Sequence, residues 1–218
     1  MKYLQILIIT LIILSGQFSD SFSQRLGEVE PEKPLEKFPN GAWGIDIMFG
    51  ESGFGIGTFI RHQLNNKVTG YFDVSFSEAK DEREIEYYDY WGNSFVIGKK
   101  NRIFQIPMFF GLQYRIFENS IAENLRPYLN FGTGPCLIVT TPYEEEFFRA
   151  FGLASSQWAY GGYVGLGANF GFDKSSLVGM NVRYYYVKLF GDGVESLYDR
   201  YQKNLQGLYI SLNLGIMY

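Results

Sequence analysis

From Gly41 to Tyr218, apolar side chains recur at every second position. That is the spacing at which neighbours along a strand face opposite sides of a sheet. The C-terminus shows it best: Leu208, Ile210, Leu212, Leu214, Ile216 and Tyr218 share one face, and Gly207, Tyr209, Ser211, Asn213, Gly215 and Met217 share the other. Residues 102–117 repeat the pattern, with Phe104, Ile106, Met108, Phe110, Leu112 and Tyr114 set against Gln105, Pro107, Phe109, Gly111, Gln113 and Arg115. Residues 127–139, 158–170 and 177–189 follow suit, and residues 43–49, 54–61 and 68–76 give shorter versions. The count is eight strands. A short ninth run, residues 95–98, belongs to a loop or a strand extension. No segment of useful length carries a helix period.

In several strands the apolar face runs for about 10–13 residues, the reach of a tilted strand across a bilayer. The opposite face carries Asp46, Arg61, Asp73, Gln105, Gln113, Arg115, Asn130, Asn169, Asn181, Arg183 and Asn213 among glycines. Alternation alone does not say which face points inward. Two further signals favour lipid on the apolar side. Lys2, the apolar run from Leu4 to Leu14 and the small residues Ser21 and Ser23 form the three-part pattern of a cleaved signal peptide, residues 1–23. Trp43, Trp158, Tyr160, Tyr184, Tyr186 and Tyr218 fall at strand ends, where interfacial girdles sit. The expected fold is therefore all-β, an eight-stranded antiparallel transmembrane barrel of the outer-membrane type over residues 41–218. Residues 24–40, rich in proline and charge, read as a flexible periplasmic lead-in. This reading requires Leu212, Ile106 and Leu166 outside, and Asn213, Gln113 and Asn169 inside.

Connection lengths supply an orientation. After a short first connection at Gly50–Gly53, the stretches 77–101, 140–157 and 190–204 are long, whereas 64–67 and 171–176 are short and 118–125 is moderate, so the external set is Gly50–Gly53 and the three long ones. Such barrels keep short turns in the periplasm and long loops outside. Eight strands return the C-terminus to the side of the N-terminus, so both termini are expected in the periplasm. An eight-stranded interior is just wide enough for side chains to fill. Asp46, Asp73, Arg61, Arg115 and Arg183, with Gln105 and Gln113, are expected to form a polar lumen network whose charges pair with one another.

Composition removes other classes. Charged residues make up 19%, too few for a disordered chain. One Cys and one His exclude a disulfide framework and a four-ligand zinc site of the Cys/His kind. A net charge of −4 argues against nucleic acid as a partner. His62, beside Arg61 at a strand end, is poorly placed for a Ser-His-acid triad. Cys136 reads as a small filler of a glycine-lined lumen. Gly161, Gly162, Gly165 and Gly167 lie inside a strand with no helix after them, which rules out a nucleotide fingerprint. They make room for neighbours such as Tyr163 and Tyr185. No catalytic, cofactor or metal residue is expected.

The segments Ile106-Pro107-Met108-Phe109-Phe110-Gly111-Leu112-Gln113-Tyr114 and Arg126-Pro127-Tyr128-Leu129-Asn130-Phe131-Gly132-Thr133-Gly134, with the last strand ending in Tyr218, resemble the small outer-membrane barrels of Gram-negative bacteria. These include the OmpA/OmpX-type and the PorT-like barrels of the Bacteroidetes. The resemblance covers residues 41–218. It implies assembly by the outer-membrane insertion machinery, with Leu212, Leu214, Ile216 and Tyr218 as the recognition signal. It implies no particular activity. The long loops combine Glu78, Asp81, Glu82, Glu84, Glu86 and Asp89 with Tyr87, Tyr88, Tyr90 and Trp91, and place Glu144, Glu145 and Glu146 beside Phe147 and Phe148. They read as solvated, or as an external contact surface toward an extracellular or secretion-apparatus partner, or toward lipopolysaccharide through divalent cations. Phe147 and Phe148 could instead pack over the barrel mouth. The expected role is structural or interactive. A narrow channel or secretion component is the alternative, and a lipid-modifying enzyme is disfavoured.

Overall fold

The structure, a computed structural model, describes residues 39–81, 83–117, 125–170 and 175–218. The expected signal peptide, most of the lead-in, and the connections 118–124 and 171–174 lie outside the described residues. In chain order the strands are β1 (Gly41–Gly50), β2 (Gly53–Gln63), β3 (Val68–Ala79), β4 (Glu86–Tyr88), β5 (Ser94–Val96), β6 (Asn101–Arg115), β7 (Leu125–Pro142), β8 (Ser155–Phe170), β9 (Ser176–Leu189), β10 (Val194–Leu197), β11 (Arg200–Gln202) and β12 (Asn204–Met217). One short helix, α1 (Phe147–Phe151), precedes β8. The eight long strands close into an antiparallel barrel in the order β1-β12-β9-β8-β7-β6-β3-β2. Closure leaves no strand edge unpaired, as a hydrocarbon surround demands.

The alternation settles into two walls. Trp43, Phe49, Ile56, Ile60, Phe110, Phe131, Val164, Leu166, Met180 and Ile210 are exposed on the outside. Asn213, Gln113 and Asn169 are buried inside, so sidedness follows the membrane reading. Several strands run further than their apolar alternation. Residues 127–139 became β7, 18 residues long. The last strand begins at Asn204 rather than near Gly207. Outward positions there are Asn204 and Gln206, so the greasy stripe stops at the rim while backbone pairing continues beyond it. The wall is uneven: β1 has 10 residues and β2 has 11, against 14 to 18 for β6 to β9.

Glycine creates the space for the interior. A Cβ at Gly132 would lie 2.8 Å from the Tyr71 hydroxyl oxygen and 3.1 Å from Tyr163 Cε1. At Gly167 it would lie 2.5 Å from Asn181 Cβ. The end opposite the termini carries the long connections. One holds the β4–β5 hairpin, which takes up the short run near Phe95, the second holds α1, and the third holds the β10–β11 hairpin.

Candidate functional site

The lumen is bridged at mid-height by charge. Arg183 on β9 sits between two carboxylates, with Nη2 at 3.2 Å from Asp46 Oδ2 and Nη1 at 3.0 Å from Asp73 Oδ2. β1, β9 and β3 are not neighbours, so these contacts cross the bore. All three residues are buried. Each carboxylate gains a second donor, because ionised groups out of water need every lone pair filled. Tyr163 Oη donates to Asp73 at 3.0 Å, and Asn213 Nδ2 donates to Asp46. Asn181 donates to Asn213 at 2.6 Å, extending the network toward the termini. Arg183 also lies 4.8 Å above the Tyr163 ring centroid.

The expected single polar network is corrected here. Arg61 forms no direct ion pair among the described residues; it donates to Asn169 Oδ1 at 3.3 Å and rests 4.2 Å from the Phe59 ring centre. Arg115 stands half-exposed near the termini and forms no ion pair among the described residues. Gln113 borders the same small recess as Arg61, of about 70 Å³. Gln105 belongs to a separate group, donating to Ser77 Oγ and Tyr209 Oη at 3.1 Å each. The reason is position along the strands. These side chains share a face but sit at different heights, and side-chain pairing needs both.

Above Arg183 the interior is aromatic. Tyr163 and Tyr185 centroids are 4.9 Å apart, Phe109 lies 6.0 Å from Tyr185, and Tyr209 meets Tyr185 edge-on at 5.3 Å. Met48, Ile138, Val187 and Cys136 fill the remaining space. The polar residues of this face share it with Phe109, Tyr163, Tyr185 and Tyr209, so its upper half is aromatic rather than polar.

The loops are tied together more firmly than a solvated reading expects. Lys99, only 7% exposed, pairs with Glu84 at 2.9 Å and approaches Glu78 at 3.9 Å. Ser196 donates to Glu84, and the Lys100 amide donates to Ser196 O at 2.7 Å, joining the first long connection to the β10–β11 hairpin. Lys100 Nζ meets Glu195 at 2.5 Å, and the Asp199 amide donates to the same carboxylate at 2.7 Å. These bonds hold the Glu195 carboxyl below its ordinary range and raise the Lys100 ammonium above its own. Asp81 is buried as well, clamped by Arg83 Nε and Nη2 at 2.8 and 2.7 Å. Sequence reasoning missed Lys99 and Lys100, the basic pair that turns three of the loop acids inward.

The exposed loop surface carries Glu86, Asp89, Glu144 and Glu146 together with a set of aromatics. Tyr90 and Trp91 at the β4–β5 tip are 96% and 83% exposed. The tip is shaped by Asp89, whose carboxylate accepts the Trp91 and Asn93 amides at 2.8 Å each. Phe147 and Phe151 of α1 do not cover the mouth. They pack on Phe104, an outward residue of β6, with centroids at 6.1 and 5.6 Å, and leave Phe148 exposed beside the outer wall.

The remaining candidates fall as follows. Trp43, Trp158, Tyr160, Tyr184 and Tyr186 all face outward and are exposed. Leu212, Leu214, Ile216 and Tyr218 lie on the outer face of β12 and the residue after it. His62 is exposed on the outer face, and Cys136 is buried. Among the described residues no group of three or more His, Cys, Asp or Glu could hold a metal ion.

No protein-family model matches the chain, and no curated protein matches it. Among solved structures it is similar to Neisserial surface protein A, at 11% identity over 84% of this chain and 100% of that one, with a TM-score of 0.53. It is also similar to the outer membrane protein OprG from Pseudomonas aeruginosa, at 12% identity over 83% of this chain and 97% of that one, TM-score 0.44. At such identities the likeness is one of fold: a small eight-stranded barrel of the outer-membrane type.

Proposed function

We propose that this chain is an integral outer-membrane barrel with a structural and contact role, sealed along its bore and facing outward with its tied loops. The observation that supports it most is the Asp46–Arg183–Asp73 bridge, stacked under an aromatic layer and encircled by an apolar outer wall. A water-filled pore would leave these groups hydrated, whereas here both aspartates are paired across the bore with the two terminal nitrogens of Arg183. In this reading both termini lie in the periplasm and the long loops outside. The partners are lipid and lipopolysaccharide around the wall, the insertion machinery reading Leu212, Leu214, Ile216 and Tyr218, and a macromolecule meeting the Tyr90–Trp91 tip. The OmpA/OmpX-type and PorT-like alternatives both fit, since each rests on sequence resemblance. The reading includes no enzymatic activity: His62 faces outward while Asp46 and Asp73 point inward, so no nucleophile–base–acid set forms from them.

Planar-bilayer recording of the purified full chain tests the sealed bore. The expected result is a silent bilayer with protein inserted. Steady unitary openings would instead favour the channel reading.

A further inference from the structure

We infer that the loop-side rim over β9 and β12 is a binding site for the phosphate of an anionic lipid headgroup, a reading that rests on the outer-membrane placement above. The outer face changes character in register there. Val182 pairs with Ile210, then Tyr184 with Leu208, then Tyr186 with Gln206, then Lys188 with Asn204. Aliphatic, aromatic, amide and cationic side chains thus follow one another within a few residues, the order of acyl chain, interface and headgroup.

Over this gradient the segment after β3 approaches β11 and β12. It encloses a recess of about 310 Å³ with Lys80, Asp81 and Arg83 on one side and Tyr186, Gln202 and Lys203 on the other. Three cations and Asp81 line it, in a chain whose net charge is −4; Asp81 holds Arg83 and Glu86 holds Lys80, which leaves Lys203 as the cation without a carboxylate among the described residues. Asp81 grips Arg83 through two nitrogens, which fixes the guanidinium in place. Lys80 is steadied by the exposed Glu86 at 2.5 Å. Lys203 is exposed and forms no ion pair among the described residues. Gln202 Oε1 is buried without a donor among the described residues, and would accept from a headgroup hydroxyl or ammonium. Tyr186 and Gln206 are shared by the recess and the outer wall, so a ligand anchored by phosphate in this recess runs its chains down past Leu208 and Ile210. That continuity selects a lipid over free phosphate.

The test uses the full chain in nanodiscs of phosphatidylcholine containing phosphatidylglycerol, with retained lipids counted by native mass spectrometry. Native protein is expected to retain phosphatidylglycerol selectively. A Lys80→Gln/Lys203→Gln double variant is expected to lose retention on the order of tenfold, the effect of two cations removed from a charged surface. Lys203→Glu alone, which breaks no ion pair among the described residues, should weaken retention too, and Lys67→Gln at the other end should not. Equal retention in native and variant proteins overturns the site. So does equal loss in Lys67→Gln, which would mean diffuse attraction, or displacement of the lipid by inorganic phosphate, which would mean a free-anion site. Heat-modifiable migration is followed in every sample: its absence in the native protein sinks the barrel reading, while retention failing in an intact barrel sinks only the lipid site.

Discussion

Arg183 and Lys99 are both buried cations held by carboxylates, but the barrel builds them differently. Arg183 meets Asp46 and Asp73 across 137 and 110 residues of sequence, from strands whose register is fixed around the whole closed wall. Lys99 meets Glu84 from within a single connection, and reaches the rest of the fold through Ser196 and the Lys100 amide. Both ions lose hydration. Only the first is embedded where nothing can relax to let water in without parting the strands. The lumen pair therefore belongs to global stability, and the loop pair to the shape of one surface.

The sharpest way to test that contrast is Arg183→Met, which strands two carboxylates inside the bore. Breaking a buried pair by removing one partner costs about 3–5 kcal/mol. Urea unfolding followed by tryptophan emission should report a loss of that size, and adding Asp46→Leu and Asp73→Leu should recover most of it. Full stability in the single variant would show the lumen is wetter than this packing implies.

Lys99→Met should do less. It leaves Glu84 buried and unpaired, at a cost of about 1–3 kcal/mol, confined to the loops. Limited proteolysis should cut the variant within residues 80–100 at rates the native protein resists, while barrel unfolding stays near its native midpoint. A matching fall in barrel stability would erase the distinction drawn here.

The smallest effect concerns Lys100 and Glu195. Glu195 is held below its ordinary value of 4.5, chiefly by Lys100, so its contribution is present above that value and fades as pH drops through its folded value. Lys100 is raised above 10.5, chiefly by Glu195, so its share is present below that value and is lost as pH rises through its folded one. Hydrogen exchange at the Asp199 amide should be slowest between these limits, relative to intrinsic rates, and quicken toward acid. Glu195→Gln should flatten the acid side.

Much of this molecule is legible in the chain because a strand reports its two faces at every second residue. Ile106, Leu166 and Leu212 announced the lipid side, and Asn169, Gln113 and Asn213 the interior. The alternation is blind to height along the barrel axis. Arg61 and Arg115 share a face with Asp46 and Asp73, but it is Arg183 that pairs directly with both aspartates. It is equally blind above the rim, where Gln206 and Asn204 carry the strand on without a greasy stripe.

The sequence alone determined the number of barrel strands and the two faces of each from local period, and the N-terminal pattern and strand-end aromatics then chose which face meets lipid. Only the closed wall decided that Arg183 meets both aspartates, that Lys99 draws loop acids inward, and that Lys80, Arg83 and Lys203 gather over Tyr186. Those meetings depend on register and shear accumulated around eight strands, quantities that no single stretch of residues carries.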